Sequence, residues 1–222
     1  MALRVIAIDG PAGSGKSSVS SALGRELGLP TLDTGAMYRA VTLAAIDVDA
    51  DLADADAVAA VARDAAVELG DGHVLLDGRD VSAAIREPEV TARVSAVSSH
   101  PGVRAILVQR QRDWVAERGG GVVEGRDIGT VVFPDAPLKV FLTASQEERA
   151  RRRQRDEADA ARPVEIGHTR DQITSRDAAD STLGRATRPE DAAPDAVVLD
   201  TTAVGFDDVV RDLLARAREV FA

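Results

Sequence analysis

The sequence contains no cysteine among its 222 residues. Disulfide bonds, thiolate metal sites and cysteine nucleophiles are therefore excluded, and the composition fits a reducing compartment, so we expect a cytoplasmic protein. Aromatic residues make up only 3% of the chain, so aliphatic side chains and alanine must form most of the core. The length predicts one substantial core, with room for a small insertion, rather than two large domains.

Long apolar stretches are also missing from the sequence. The apolar run at residues 3–8 is too short for a signal-peptide core or a membrane span, and charged residues interrupt every later run. The formal net charge is −10, whereas a general nucleic-acid-binding protein needs a basic surface to neutralise phosphates. We therefore expect neither a membrane nor a nucleic acid as a partner. Nothing in the sequence indicates a protein partner, and we expect a monomer.

Arginine is concentrated in two stretches, residues 149–155 and residues 176–188. Guanidinium groups bind phosphate oxygens in pairs, so local arginine clusters on an acidic protein suit a small, highly charged phosphate ligand. Most of these arginines, taken singly, are better explained as solvent-exposed residues of a helix that pair with neighbouring acids than as phosphate ligands. We expect a few of them to face phosphates.

The residues that follow the first apolar run read GPAGSGKS and match the pattern G-x-x-x-x-G-K-[ST] in full. A predicted strand precedes them and a predicted helix follows, which is the setting in which backbone N–H groups and a helix N-terminus hold phosphates. Lys16 is expected to reach the β- and γ-phosphates of ATP, and Ser17 to present its hydroxyl to Mg²⁺. The predicted ATP-binding residues are Gly10, Pro11, Ala12, Gly13, Ser14, Gly15, Lys16, Ser17 and Ser18.

Strand-like and helix-like segments alternate along most of the chain, which predicts an α/β P-loop fold in three layers with a parallel sheet. Residues 67–99 have a different character, because their alternating segments and the hairpin-favouring pair Asp77-Gly78 predict a small α+β insertion. Residues 145–148 resemble a capping box that opens the arginine-rich helix. Residues 149–185 are expected to form a lid.

Three classes of P-loop protein compete for this pattern: a small-molecule kinase, a GTPase-like switch and a motor or transport ATPase. A switch usually carries an Asn-Lys-x-Asp-type motif late in the chain, and the sequence has none. An ATPase usually has four apolar residues before an acid, and Val122-Val123-Glu124 matches this poorly. The arginine clusters favour the kinase, because transfer between two nucleotides requires several phosphates to be neutralised together.

Five stretches of the sequence are similar to motifs of the bacterial cytidylate kinase family, the CMP/dCMP kinases of the nucleoside monophosphate kinase group. They read DGPAGSGK at 9–16, LDTGAMYR at 32–39, EGRDIGTVVFPD at 124–135, SQEERA at 145–150 and RDAADST at 176–182. The resemblance covers nearly the whole chain, and the third stretch is the most distinctive. It implies transfer of the γ-phosphoryl group of ATP to CMP or dCMP, with Mg²⁺, in pyrimidine nucleotide metabolism. It also implies that residues 67–99 bind CMP.

The resemblance further implies roles for individual residues. Thr34, Arg104 and Asp127 would hold the cytosine base, Arg126 and Arg185 the CMP phosphate, and Ser95, Arg176 and Asp180 the sugar. Lys16, Arg126, Arg153 and Arg185 would be the catalytic residues. Arg149, Arg152 and Arg153 are candidates to stack on adenine or to touch the transferred group.

Two questions stay open at this point. Leu183 and Gly184 stand where the family has its arginine directly after the last motif, so either Arg185 or Arg188 fills the phosphate-binding role. The other question is the acceptor, since a kinase for UMP or AMP, or a nucleotide-binding protein without catalysis, would carry the same cradle. No histidine shows the spacing of a metal site, and we expect no structural metal.

Overall fold

The computed structural model describes residues 3–70, 72–159, 174–175 and 177–222, with side chains described up to Arg155 in the long arginine-rich helix. The chain divides into two compact units: Met1–Thr31 with Val115–Ala222, and Leu32–Trp114. Within the described part of the chain, every helix is too short or too polar to cross a bilayer.

The helices and strands are numbered in chain order. They are β1 (Arg4–Asp9), α1 (Lys16–Leu27), β2 (Thr31–Asp33), α2 (Thr34–Asp47), α3 (Ala55–Asp64), β3 (Val67–Gly70), β4 (His73–Leu76), β5 (Arg79–Asp80), α4 (Pro88–Ser99), α5 (Pro101–Arg118), β6 (Gly120–Glu124), β7 (Leu138–Thr143), α6 (Gln146–Asp159), β8 (Val197–Asp200) and α7 (Phe206–Val220). A single turn of π-helix, Ile128–Val132, lies between β6 and β7. Residues 177–182 are helical.

The five-stranded sheet has the order β2-β6-β1-β7-β8. Strand β1 pairs in parallel with β6 on one side and with β7 on the other, and β7 pairs in parallel with β8. A strand at the centre of such a sheet is covered on both faces, which explains the unbroken apolar run at residues 5–8. The predicted α/β fold with a mostly parallel sheet is confirmed.

The core of the first unit is aliphatic, as the low aromatic content predicts. Ile6 and Ile8 of β1 pack in one cluster with Leu23 of α1 and Leu213 of α7, and each of these four side chains is fully buried. Helix α1 ends where Gly28 adopts a left-handed conformation with φ 63°, and its N–H donates to the Gly24 carbonyl. The packing of α1 on the sheet therefore orients the loop that precedes it.

The second unit contains the antiparallel sheet β3-β4-β5. Asp77 and Gly78 join β4 to β5 with φ values of 52° and 78°, which confirms the hairpin that this pair predicts from sequence. Ala40 and Ile85 belong to its buried core. CMP binding by residues 67–99 remains a prediction, as does the lid over 149–185, of which residues 160–173 and 176 lie outside the described residues.

Candidate functional site

The predicted phosphate loop runs from the end of β1 to the start of α1 and passes very close to neighbouring backbone. A Cβ atom on Gly10, where φ is 146°, would lie 2.0 Å from the Leu142 carbonyl oxygen. A Cβ on Gly13, where φ is 76°, would lie 2.7 Å from the Arg149 carbonyl oxygen. Since both positions combine a positive φ with a backbone contact, only glycine fits them. The path of the loop therefore requires the glycines of the motif.

Lys16 is buried at the first position of α1, and its Nζ lies against the loop. The ammonium group donates hydrogen bonds to the carbonyl oxygens of Gly10 and Pro11, each at 2.8 Å. The positive end of the α1 dipole adds to this charge at the same place. The loop and the start of α1 thus concentrate a lysine charge and helix N–H groups, which is the arrangement that binds a polyphosphate.

Ser17 follows Lys16 and contacts an acid that the sequence analysis did not assign to the site. Its hydroxyl donates a hydrogen bond of 3.0 Å to Oε2 of Glu124, a buried residue at the end of β6. The pairing of Ile8 with Glu124 places the carboxyl ends of β1 and β6 side by side. The sequence signal that could have identified Glu124 was an acid at the end of a predicted buried strand. Only two apolar residues precede it in Val122-Val123-Glu124, so the match to the ATPase motif was poor.

Arg126 and Arg185 meet on one carboxylate, that of Asp180. Nε of Arg126 donates to Oδ2 at 3.1 Å, and Nη1 of Arg185 donates to Oδ1 at 2.8 Å. The side chain of Asp180 is only 4% exposed, and those of Arg185 and Arg126 are 8% and 17% exposed. Two guanidinium groups are thus held on one buried carboxylate.

Arg188, the alternative to Arg185, occupies a different environment. Its side chain is 60% exposed, and it pairs with Glu190 and Asp191 on the 3₁₀ turn Pro189–Asp191. Leu183 and Gly184 lie in the turn that follows the helical residues 177–182, and the N–H of Arg185 donates to the Asp180 carbonyl at 3.0 Å. This turn carries Arg185 back to the Asp180 carboxylate. The geometry therefore favours Arg185 as the partner of Arg126.

Asp9, the last residue of β1, is a buried carboxylate next to the phosphate loop. Its Oδ1 accepts from the N–H of Ile128 and its Oδ2 from the N–H of Gly129, each at 2.8 Å. Burial raises the pKa of Asp9 from 3.8 to about 6, although the two N–H groups and Lys16 act in the opposite direction, while the charge of Asp127 adds to the increase. The protein thus keeps this carboxylate in an environment that disfavours its charge.

The raised pKa of Asp9 predicts how the free energy of unfolding depends on pH. The folded protein binds a proton that the unfolded chain has lost between pH 4 and pH 6, so the free energy of unfolding should decrease as pH rises through this window, by up to about 3 kcal/mol. Urea unfolding at several pH values would measure the decrease, and an Asp9→Asn variant should lose that part of the slope. Equal slopes for the two proteins would contradict the prediction.

Two arginines of α6 contact the backbone of the phosphate loop. Nη1 of Arg149 donates to the Ala12 carbonyl at 3.1 Å, and Nη1 of Arg152 donates to the Ser14 carbonyl at 3.2 Å. Arg149 also pairs with Asp177. In the structure these two arginines hold the loop in place. Their predicted contacts with adenine or the transferred group stay predictions, as does the role of the half-buried Arg153.

Three other predicted site residues lie on separate helices of the second unit. Thr34 is the buried first residue of α2, and Ser95 and Arg104 are half-buried on α4 and α5. Arg176 lies outside the described residues. Their roles therefore stay predictions. Among the residues that the structure does describe, no group of three or more histidine, aspartate or glutamate side chains is arranged to hold a metal ion.

Comparison with known proteins places these features in one family. The family model described as "Cytidylate kinase" matches residues 6–219. A cytidylate kinase of Mycobacterium avium (strain 104) is 51% identical over 224 residues, with 97% of each chain covered. A cytidylate kinase of Mycolicibacterium paratuberculosis (strain ATCC BAA-968 / K-10) is 50% identical with the same coverage. The resemblance inferred from the five motifs is thereby confirmed.

Solved structures of lower sequence identity agree in fold. A gluconokinase from Sinorhizobium meliloti 1021 matches with a TM-score of 0.51 at 16% identity, covering 97% of this chain and 92% of that one. At this identity the match supports the shared α/β architecture alone.

Proposed function

This chain belongs to the cytidylate kinase family, and we propose that it transfers the γ-phosphoryl group of ATP to CMP or dCMP, giving CDP or dCDP and ADP. The structural observation that carries the proposal is the combination of two cationic groups in the first unit. One is Lys16 in the phosphate loop, and the other is the pair Arg126 and Arg185 on Asp180. A kinase whose donor and acceptor both carry phosphates needs a cationic group for each of them.

On the donor side, the loop and the start of α1 bind the phosphates of ATP. Lys16 exchanges its two carbonyl partners for oxygens of the β- and γ-phosphates, so its charge is used where negative charge develops during transfer. Arg149 and Arg152 keep the loop backbone in place from outside. The bound phosphates therefore meet a preformed set of donors.

Ser17 of α1 and Glu124 at the end of β6 fit a Mg²⁺ ion. Magnesium prefers oxygen ligands and binds few protein groups, keeping several waters and phosphate oxygens. The Ser17 hydroxyl and the Glu124 carboxylate supply such oxygens 3.0 Å apart, beside the loop. Ser17 would bind the ion directly and Glu124 would hold it through its carboxylate or a water. When bound, the ion neutralises charge on the phosphates.

Replacing Glu124 by glutamine should weaken the binding of this ion while leaving the phosphate loop unchanged. We expect the Mg²⁺ concentration needed for half-maximal activity to rise about 10-fold or more, because the oxygen ligand loses its charge. A Mg²⁺ titration of ADP release measures the change. The control is Glu117→Gln, an exposed acid on α5 that pairs with Arg118. An unchanged titration curve for Glu124→Gln would exclude Glu124 from the metal site.

On the acceptor side, Arg126 and Arg185 bind the phosphate of CMP. Both are charged donors held in a fixed orientation by Asp180, so an approaching phosphate meets two guanidinium groups that need little reordering. Asp127, next to Arg126, is a suitable acceptor for the cytosine N4 amino group. By family resemblance, Thr34 and Arg104 also contact the base, and Ser95, Arg176 and Asp180 the sugar.

The chemistry itself needs no covalent intermediate and no strong base, because the acceptor phosphate is already an anion. The protein brings two phosphates that repel each other into line, neutralises their charge with Lys16 and arginines, and keeps water away. The predicted catalytic residues Arg126, Arg153 and Arg185 belong to this charge balance.

The assignment of Arg185 over Arg188 can be tested directly. We expect Arg185→Ala to lower kcat/KM for CMP by about 100-fold or more, because a buried charged donor to the phosphate is lost. Arg188→Ala is the matched control, since it removes an exposed arginine three residues away, and it should keep nearly full activity. The opposite ranking of the two variants would move the phosphate site to Arg188.

The function as a whole is tested by a coupled ADP-release assay with CMP, dCMP, UMP, AMP or no acceptor. We expect rapid turnover with CMP and dCMP, slow turnover with UMP and AMP, and little without an acceptor. Equal rates with all acceptors would indicate an unselective kinase, and no turnover with any would indicate a binding protein. We also propose that the chain acts as a monomer in the cytoplasm, in pyrimidine nucleotide metabolism. Light scattering after gel filtration tests the oligomeric state.

A further inference from the structure

We propose that Asp9 is a positioning residue for phosphoryl transfer: it holds the segment that carries Arg126 and Asp127 in a set place relative to the phosphate loop. Asp9 itself touches neither substrate in this proposal. It acts through the backbone that follows Asp127. The proposal rests on the proposed function and deepens it, because it assigns the alignment of acceptor and donor to one side chain.

The argument begins with the place of Asp9 in the chain. It is the last residue of β1 and is bonded directly to Gly10, the first glycine of the loop. Its two carboxylate oxygens each accept one N–H, from Ile128 and from Gly129, at 2.8 Å. These are the first two residues of the π-helical turn that follows Asp127. One side chain thus connects the loop to the acceptor-side segment.

The segment around Arg126 is tied at other points as well, so a shift at Asp9 would reach the functional residues. The N–H of Gly125 donates to the Ile8 carbonyl at 2.9 Å, and the N–H of Ala186 donates to the Arg126 carbonyl at 3.1 Å. The first bond holds the start of the segment on β1, and the second joins it to the stretch that carries Arg185. Loss of the Asp9 contacts would release the backbone that directly follows these two points, at Ile128 and Gly129.

The two oxygens of the Asp9 carboxylate match the two N–H donors of the turn, each at 2.8 Å. Both oxygens of Asp9 are used by N–H donors, so an amide in its place would bring an NH₂ group against one of them. The geometry therefore requires a carboxylate of this length.

A buried acid is a poor choice for stability alone. Burial raises the pKa of Asp9, which means that ionising this group costs more free energy in the folded protein than in the unfolded chain. The charge is retained where only a doubly accepting carboxylate satisfies two adjacent N–H groups. The free-energy cost of burying this charge is consistent with a role in aligning the acceptor with the donor.

The test compares kinetic constants of Asp9→Asn with those of the wild-type protein. We expect kcat to fall about 100-fold and the KM for CMP to rise about 10-fold, since small displacements of reacting groups have effects of this size. The KM for ATP should change less than about 3-fold, because Arg149 and Arg152 still hold the loop. A merely structural role would not separate the two substrates.

The matched control is Asp54→Asn. Asp54 also accepts two consecutive N–H groups at the start of a helix, those of Asp56 and Ala57 at 3.0 Å, but it lies before α3 in the second unit. This variant should lose stability and keep kcat and both KM values. If Asp9→Asn behaves like Asp54→Asn, the proposal is wrong.

A second variant keeps the proposal testable if Asp9→Asn does not fold. Asp9→Glu keeps the charge but adds a methylene group, which displaces the carboxylate oxygens from the N–H groups of Ile128 and Gly129, and it should show the same separation of CMP and ATP effects in a milder form. Equal effects on both substrates, or no effect, in a folded Asp9→Glu protein would overturn the proposal. Failure of the proposed function is distinguishable, because the wild-type protein would then show no turnover of CMP.

Discussion

Replacement of Lys16 by alanine is expected to lower kcat by about a thousand-fold while the fold stays intact, because a preorganised charge at the transferred group supplies several kcal/mol. Lys16 is buried, and its Nζ is held by two loop carbonyls at 2.8 Å, so its charge is already directed at the site where phosphates bind. The steady-state rate of ADP release at saturating CMP gives kcat.

The control for this variant is Arg25→Ala on the same helix. Arg25 is an exposed cation near the end of α1 that pairs with the neighbouring Glu26, so its loss should leave kcat unchanged. Circular dichroism would show that both variants keep their helix content. If Lys16→Ala retains most of the activity, the loop is not the cradle for the transferred phosphate.

Replacement of Asp180 by alanine should have the largest combined effect on stability and acceptor use. The carboxylate is 4% exposed and lies between two guanidinium groups. Its removal takes away the buried carboxylate that both guanidinium groups contact, and breaking a buried ion pair typically costs about 3–5 kcal/mol. We also expect kcat/KM for CMP to fall about 100-fold or more, since Arg126 and Arg185 would no longer be held side by side. Urea unfolding and the CMP kinetics measure the two effects.

The matched control is Asp191→Ala, which removes the acid partner of the exposed Arg188. Exposed ion pairs contribute little to stability, so this variant should unfold at nearly the wild-type urea concentration. Similar losses in the two variants would mean that the Asp180 cluster is an ordinary surface ion pair in energetic terms. A stable Asp180→Ala protein with poor CMP kinetics would assign the cluster to binding alone.

Local patterns were enough to predict features of both units. The loop motif between a strand and a helix predicted the cradle, because its glycines and lysine act within a few residues of one another. The buried run at residues 5–8 predicted a parallel strand, and Asp77-Gly78 predicted a hairpin, which the φ values confirm. The five motifs together identified the family before any contact was known.

Contacts between distant residues were beyond such patterns. Glu124 was left out of the site, although it accepts a hydrogen bond from Ser17, 107 positions earlier in the chain. The contact exists because β1 and β6 are neighbours, and strand order is a property of the assembled sheet. The π-helical turn after Asp127 and its two bonds to Asp9 depend on the same adjacency.

Arg185 shows most clearly where sequence stops and tertiary structure begins. The sequence alone predicted a phosphate cradle at residues 10–17 and showed that arginines are available near residue 185. It left Arg185 and Arg188 as alternatives, because an insertion of two residues shifts both along the chain. The folded structure separates them, since the turn at residues 183–184 returns one arginine to a buried carboxylate and leaves the other at the surface. Motif chemistry is local, whereas charge pairing depends on what the fold brings together.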